Sequence, residues 1–386
     1  HADAIWCSFI IRCMRRGGYC KGCNMPIRVL QIVTYMGRGG LETMLMNYYR
    51  HIDRDKVQFD FLVHRDFEAD YDREILALGG RIYHISRLIP WSVSYKRELK
   101  NFFRSHPEYR IVHVHQDCLS SVALQCAKEC GIPVRIAHSH NSNQDKNIRF
   151  LIKRHYMKSI PQYATELFAC SKKAGEWMFS GRQYQTLANA IDSSIYKYDA
   201  VIADTIRKER GLTDELIIGH VGRFHPQKNH VFLIDIFAEI KKIRPDAKLL
   251  LVGGGEGMTA IQQKVEKLGL KDSVIFTGIR PDVNRLLQAM DVFVFPSLYE
   301  GLPVTMVEAQ AAGLPCVISD KVPDECIVTE GLVTVQKLSD SAENWAKHIV
   351  SHANMQRKDT EKQIKAHGFD IAENAKWLEE FYLKHG

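Results

Sequence analysis

Short runs of Val, Ile, Leu and Phe alternate with longer stretches of helical periodicity along this chain, and the pattern occurs twice. Such alternation marks parallel sheets with crossover helices, because a parallel neighbour cannot be reached by a tight turn. In the first half, strands are expected at Ile27–Val33, Phe59–Val63, Arg81–Ile85, Ile111–His115, Val134–His138 and Leu167–Ala169. In the second they are expected at Leu216–Val221, Lys248–Val252, Val274–Thr277, Val292–Phe295 and Pro315–Ile318. Each half therefore reads as its own doubly wound α/β domain. The boundary falls near Leu187–Asp192, where turn-forming residues precede a polar, irregular stretch. A length of 386 residues suits two domains better than one core. Ligands of doubly wound sheets bind beyond the carboxyl ends of the strands, so two facing domains put the site in the cleft between them.

Several classes are excluded at once. No apolar run approaches the roughly 18 residues needed to span a bilayer, and the longest near the start, Ala4–Ile11, ends at Arg12. Ten cysteines are too dilute for a disulfide scaffold, and their spacing is irregular, which points to a cytoplasmic protein. Residues 1–24 differ from the rest: they begin with His1 and hold Cys7, Cys13, Cys20 and Cys23, and a clean strand then starts after Met25-Pro26. They read as an extension, non-native or disordered. Cys20-Lys-Gly-Cys23 has the gap of a zinc knuckle but lacks partners at comparable spacing, so no metal is assigned.

Charge is unevenly spread. Met25–Ala190 carries 24 Lys+Arg against 16 Asp+Glu, whereas Ile191–Gly386 carries 24 against 28, so the first domain is the one suited to an anionic surface. Its densest cluster, Lys146, Arg149, Lys153, Arg154 and Lys158, is interleaved with Ile148, Phe150, Leu151, Ile152, Tyr156 and Met157. As a helix this segment is basic and amphipathic. It suits an anionic membrane interface, an ordinary solvated face being the alternative, and nucleic acid is not expected.

Four strand ends carry candidate chemistry. Gly37-Arg-Gly-Gly40 precedes the amphipathic stretch Leu41–Tyr49; it is either a simple tight turn or a phosphate or sugar contact at a helix start. His138-Ser-His140-Asn141 ends a strand and offers His140 to a cleft, while His113 and His115 alternate on another strand and read as structural. Gly222-Arg-Phe-His-Pro-Gln-Lys228 sets a guanidinium fork and an ammonium at a helix start, where the helix dipole repels both unless an anion is present. Pro296–Ala309 contains Glu300 and Glu308 around a helix start near Leu302, so the two carboxylates can reach different hydroxyls of one ligand. Gly253-Gly-Gly-Glu-Gly257 is a tight strand-to-helix turn, since Glu256 would repel a phosphate.

Together, Gly37-Arg-Gly-Gly-Leu-Glu42, Gly222–Lys228 and Glu300-Gly-Leu-Pro-Val-Thr-Met-Val-Glu308 resemble, in that order, the retaining glycosyltransferases of family 4, and within it the bacterial capsular and exopolysaccharide enzymes of the EpsF type. The resemblance implies the GT-B fold: two Rossmann-like domains facing across a cleft, residues 25–190 on the acceptor side and 191–369 binding a nucleotide-sugar. A final segment, Trp377–Lys384 within residues 370–386, returns to the first domain. It assigns Arg223 and Lys228 to the donor diphosphate, Glu308 to the ribose hydroxyls and Glu300 to the donor sugar. Gly301, Leu302, Pro303 and Val304 would touch sugar and phosphate, Gly39 and Gly40 would close over the diphosphate, and His140 would lie near the donor sugar. The base would stack near Thr277, Gly278, Ile279 and Arg280, while His225 and Gln227 are variable places.

The implied reaction is transfer from a nucleotide-sugar, a UDP-sugar being favoured, to a hydroxyl of a glycan or lipid-linked acceptor, with retention and without a metal or cofactor. It implies a cytoplasmic enzyme peripheral to the inner face of the membrane. A non-hydrolysing nucleotide-sugar 2-epimerase shares the architecture, and a non-enzymatic nucleotide-sugar-binding protein is the other alternative.

Overall fold

The computed structural model describes residues 25–141 and 148–386; the features expected of residues 1–24 and of Lys146 lie outside them. Among the described residues the strands form two all-parallel sheets. The first has the order β3-β2-β1-β4-β5-β6-β7, from β1 (Ile27–Ile32), β2 (Val57–Val63), β3 (Ile82–His84), β4 (Ile111–Val114), β5 (Val134–Ser139), β6 (Glu166–Ala169) and β7 (Gln185–Thr186). The second has the order β10-β9-β8-β11-β12-β13, from β8 (Ile217–Val221), β9 (Lys248–Val252), β10 (Val274–Phe276), β11 (Val292–Phe295), β12 (Cys316–Ser319) and β13 (Val333–Gln336).

The central strands are apolar along their length because helices cover both faces; all residues of β8, β11 and β12 are buried. β13, at a sheet edge, escapes the sequence reading because Val333-Thr-Val-Gln336 is short and mostly half-buried or exposed. In each sheet the strand order reverses at one place, between β1 and β4 and between β8 and β11. A crevice opens beyond the strand ends there.

The last helix, Ile371–His385, leaves the second domain and packs on β1, β2 and the helix Gly40–His51 of the first. It buries Ile371, Ala375, Leu378 and Tyr382, a spacing that keeps them on one face. The returning helix thus contains Trp377–Lys384 and lies within residues 370–386. The domains also meet where the Glu325 carboxylate accepts from the Lys172 and Lys173 amides (2.7 and 3.2 Å), at the start of the helix Lys172–Phe179. A carboxylate there satisfies free N–H groups and complements the helix dipole.

Candidate active site

The loops after β1, β8 and β11 all leave the strands at which sheet order reverses, and they carry the motifs. After β8 the chain runs through Gly222–His225 into a short turn, Pro226–Lys228, and then the helix His230–Ile243. The glycine loop after β9 braces it. Gly253 has φ +142°, and a side chain there would collide with the Gly222 carbonyl; only glycine allows the two loops to lie this close. Arg223 is exposed at the tip, and Lys228 folds inward.

Lys228 Nζ lies 2.7 Å from Glu300 Oε1, and the two side chains are 17% and 6% exposed. Gln227 Nε2 donates to the Glu300 carboxylate at Oε2 (3.2 Å) and to the Tyr299 carbonyl (2.9 Å). Gln227 thus does more than the variable place assigned to it, since it fixes the loop that carries Glu300. A glutamine in a turn gives no local signal of that reach.

Glu308 is 4% exposed, and its Oε1 accepts from the Tyr196 hydroxyl at 2.7 Å. Burial pushes the Glu308 carboxyl up to about 7, and the Tyr196 hydrogen bond opposes the rise. Tyr196 went unnoticed in the sequence because it stands in the irregular stretch between the domains, 112 residues from its partner.

The helix carrying Glu308 begins at Val304, not near Leu302. Pro303 caps it in an extended conformation, and a proline disfavours helical geometry in the residue before it. The Leu302 carbonyl accepts from Asn189 Nδ2 (2.8 Å), a contact from the interdomain connection. A Cβ on Gly301 would run into the His140 carbonyl, so the two domains touch there through bare backbone.

In the first domain the helix Gly40–His51 follows Gly39, which is extended. The Glu42 carboxylate folds back over Gly39. Its pKa is raised to about 7, chiefly by burial, against the lowering pull of backbone N–H donors and of the Arg223 charge from the other domain. The sequence supplied Glu42 as part of the motif without a role.

His140 ends β5's loop with Nε2 2.8 Å from His115 Nδ1, and burial lowers it to about 3. Beside it, His113, His115 and His138 bring ring nitrogens within 4.8 Å of one another, a grouping that could hold a cation. These rings are joined by hydrogen bonds instead, His113 to Tyr382 (2.7 Å) and His138 (3.1 Å), and His115 to Gln31 (2.9 Å) and His140.

Thr277–Arg280 follows β10 on the rim. The Gly278 carbonyl accepts from the Gly253 amide (2.9 Å), Ile279 is exposed, and Arg280 pairs with Asp282 at 2.8 Å. The basic segment forms the helix Ile148–Tyr163, with Ile152, Arg154 and Lys158 exposed and Lys153 half-buried. Among the described residues no helix is long and apolar enough to cross a membrane. A cavity of about 400 Å³ lies between the domains, lined by Trp177, Lys173, Tyr299, Glu300 and Lys321 among others. A larger one, about 920 Å³, opens at the start of β6 and touches none of the motifs.

Two family patterns match in tandem: Glycosyltransferase Family 4 over residues 38–194 and Glycosyl transferases group 1 over residues 202–367. A relative from Bacillus subtilis (strain 168), provisionally named glycosyltransferase EpsF, is 37% identical over 366 residues, covering 90% of this chain and 94% of its own. The chain belongs to glycosyltransferase family 4. It is thus a transferase of glycosyl groups, as the motifs implied. The Escherichia coli UDP-Gal:α-D-GlcNAc-diphosphoundecaprenol α-1,3-galactosyltransferase is 26% identical over 299 residues, 72% of this chain and 76% of that protein. The fold of this family-4 glycosyltransferase is that of Anabaena HepE, solved with UDP and glucose: TM-score 0.76 over 92% of this chain and 99% of that one, at 18% identity. The two facing Rossmann-like domains and the returning helix are the GT-B architecture expected.

Proposed function

We propose that the enzyme moves a sugar from a nucleotide-sugar, a UDP-sugar by preference, to a hydroxyl of a glycan or lipid-linked acceptor in polysaccharide synthesis, with retention and without a metal. The observation that carries this reading is the Lys228–Glu300 pair at the β8/β11 crevice, with Arg223 on the loop after β8 acting on Glu42 of the other domain, Glu308 on the helix after β11, and Gly301 against the His140 carbonyl. Two relatives support the substrate classes: HepE was solved with UDP-glucose, and the E. coli galactosyltransferase takes UDP-Gal and a diphosphoundecaprenol acceptor.

In this reading Glu308 holds the ribose hydroxyls, with the Tyr196 hydroxyl fixing one carboxylate oxygen. Glu300, held by Lys228 and Gln227, meets the donor sugar beside the backbone of Gly301–Val304. The base stacks along Thr277–Arg280, and Gly39–Gly40 closes on the diphosphate. The bond from the anomeric carbon to the phosphate oxygen breaks as the acceptor oxygen bonds to that carbon from the same face, and the acceptor proton passes to the departing phosphate. Arg223 and Lys228 offset the charge that develops there, a task a metal performs elsewhere. The basic helix Ile148–Tyr163 holds the first domain at an anionic membrane surface on the cytoplasmic side, within reach of a lipid-linked acceptor.

The test is a thermal-shift screen of UDP-, GDP- and ADP-sugars, since a ligand at 100 times its Kd adds about 2.7 kcal/mol of stability. A UDP-sugar should give the largest shift, and Arg223→Ala or Lys228→Ala should lower turnover by about 10² or more while EDTA leaves it unchanged. A requirement for Mg²⁺ would overturn the two-cation account, and no response to any nucleotide-sugar would overturn the donor assignment.

A further inference from the structure

One face of the first sheet presents polar side chains from three neighbouring strands: Gln31 from β1, His113 and His115 from β4 and just beyond it, and His138 and His140 from β5 and just beyond it. The returning helix lays Tyr382 over them. Gln31, His113, His115 and His138 are buried, and buried polar groups are costly unless each finds a partner. Here they find one another in a single chain, with Gln31 joining a branch through Tyr382 and His113 to one through His115 and His140.

The chain has a direction. Gln31 has a donor end and an acceptor end: Nε2 faces the Tyr382 hydroxyl at 3.5 Å, and Oε1 faces His115 Nε2 at 2.9 Å. An amide oxygen can only accept, so His115 carries its proton on Nε2 and leaves Nδ1 bare. A bare Nδ1 at 2.8 Å from His140 Nε2 must itself accept, which puts the His140 proton on Nε2. His140 Nδ1 is then an open lone pair, and it is buried with no hydrogen-bond partner among the described residues. On the other branch the Tyr382 hydroxyl pairs with His113 Nδ1 (2.7 Å), and His113 Nε2 pairs with His138 Nδ1 (3.1 Å). Burial keeps His113, His115, His138 and His140 neutral at ordinary pH.

We propose that Gln31 is a positioning residue: acting through His115, it holds His140 in the Nε2–H tautomer, so that the open Nδ1 accepts a hydrogen bond from a hydroxyl of the bound substrate. The proposal rests on the reading of His140 as a site residue. With the opposite tautomer the same position would present an N–H, and the hydroxyl would have to turn and accept a hydrogen bond there instead of donating one.

The experiment begins on the unaltered enzyme. Long-range ¹H–¹⁵N spectra of the imidazoles, with His140 assigned by the signal lost in His140→Ala, should place its proton on Nε2; a proton on Nδ1 overturns the proposal and requires no variant to fold. Gln31→Met then removes both ends of the amide at similar volume. It should lower kcat by about 10- to 100-fold, the range of lost outer-shell partners, with donor KM changed less than about twofold, and should mix the two His140 tautomers. Unchanged kcat and unchanged tautomer in that variant also overturn the proposal. Tyr382→Phe, which cuts the His113 branch and leaves the Gln31–His115–His140 branch in place, should keep the His140 tautomer. Full activity in His140→Ala would instead sink the reading of His140 as a site residue, whichever tautomer the spectra give.

Discussion

Donor binding should strengthen as pH rises through neutrality, because the ribose ligand we propose, Glu308, is a carboxyl group that burial holds near 7. Only the ionised Glu308 has two acceptor oxygens to offer, one of them already taken by Tyr196. With a pKa of about 7, about a tenth of the enzyme is ionised at pH 6 and about nine tenths at pH 8, so donor affinity should improve roughly tenfold across that interval. Titration calorimetry with a UDP-sugar reads this directly, since a diphosphate diester has no group that titrates there. Tyr196→Phe removes the hydrogen bond that favours the ionised form and should move the midpoint to higher pH, whereas Glu308→Gln should bind weakly with no midpoint. Glu42, also near 7, faces the same cleft, so Glu42→Gln must keep the slope if Glu308 is its source. The stability of the ligand-free protein should run the other way. A carboxyl group whose folded pKa lies above its unfolded value of 4.5 contributes fully below that value, and the contribution, about 3 kcal/mol at most, is lost as pH rises through about 7. Donor affinity that is flat from pH 6 to 8, or a slope that survives Glu308→Gln, would refute the reasoning.

Two further outcomes follow from the site and its surroundings. Lys228→Met removes the counter-charge of the buried Glu300 carboxylate while leaving its Gln227 hydrogen bond, and should cost about 2 kcal/mol in urea unfolding, less than a fully buried pair because the lysine keeps some exposure; adding Glu300→Gln should recover part of the loss, and strictly additive penalties would show that the pair is not coupled. Replacing Lys146, Lys153, Arg154 and Lys158 by alanine should abolish co-sedimentation with phosphatidylglycerol vesicles at low salt, at about 1 kcal/mol per cation, and retention of binding would move the membrane contact elsewhere.

Much of the architecture was legible because buried parallel strands announce themselves. Lys248–Val252 and Val292–Phe295 form strands with the expected ends, and the other expected strands shift by at most two residues at either end. The edge strand β13 lacked the continuous apolar run that makes its neighbours visible. The charged residues of the site were legible for a related reason, since each stands just beyond a strand or, like Glu308, in the helix that follows one, where sequence order still tracks space. Gln227, Tyr196 and Gln31 were not. Their partners lie 73, 112 and 84 residues away, and an uncharged side chain whose role depends on a distant neighbour leaves no local pattern.

The bare contact between Gly301 and the His140 carbonyl sets how narrow the cleft can become. A single methyl group at 301 would act as a wedge, leaving each half correctly folded and every side chain of the site intact while keeping the halves from seating against one another. Defects from such a change would spread over donor and acceptor steps alike, and a substitution survey would read them as lost ligand contacts. The glycine in this motif therefore serves as a gauge of closure, and its tolerance to substitution measures how tightly the halves must meet for the reaction to proceed.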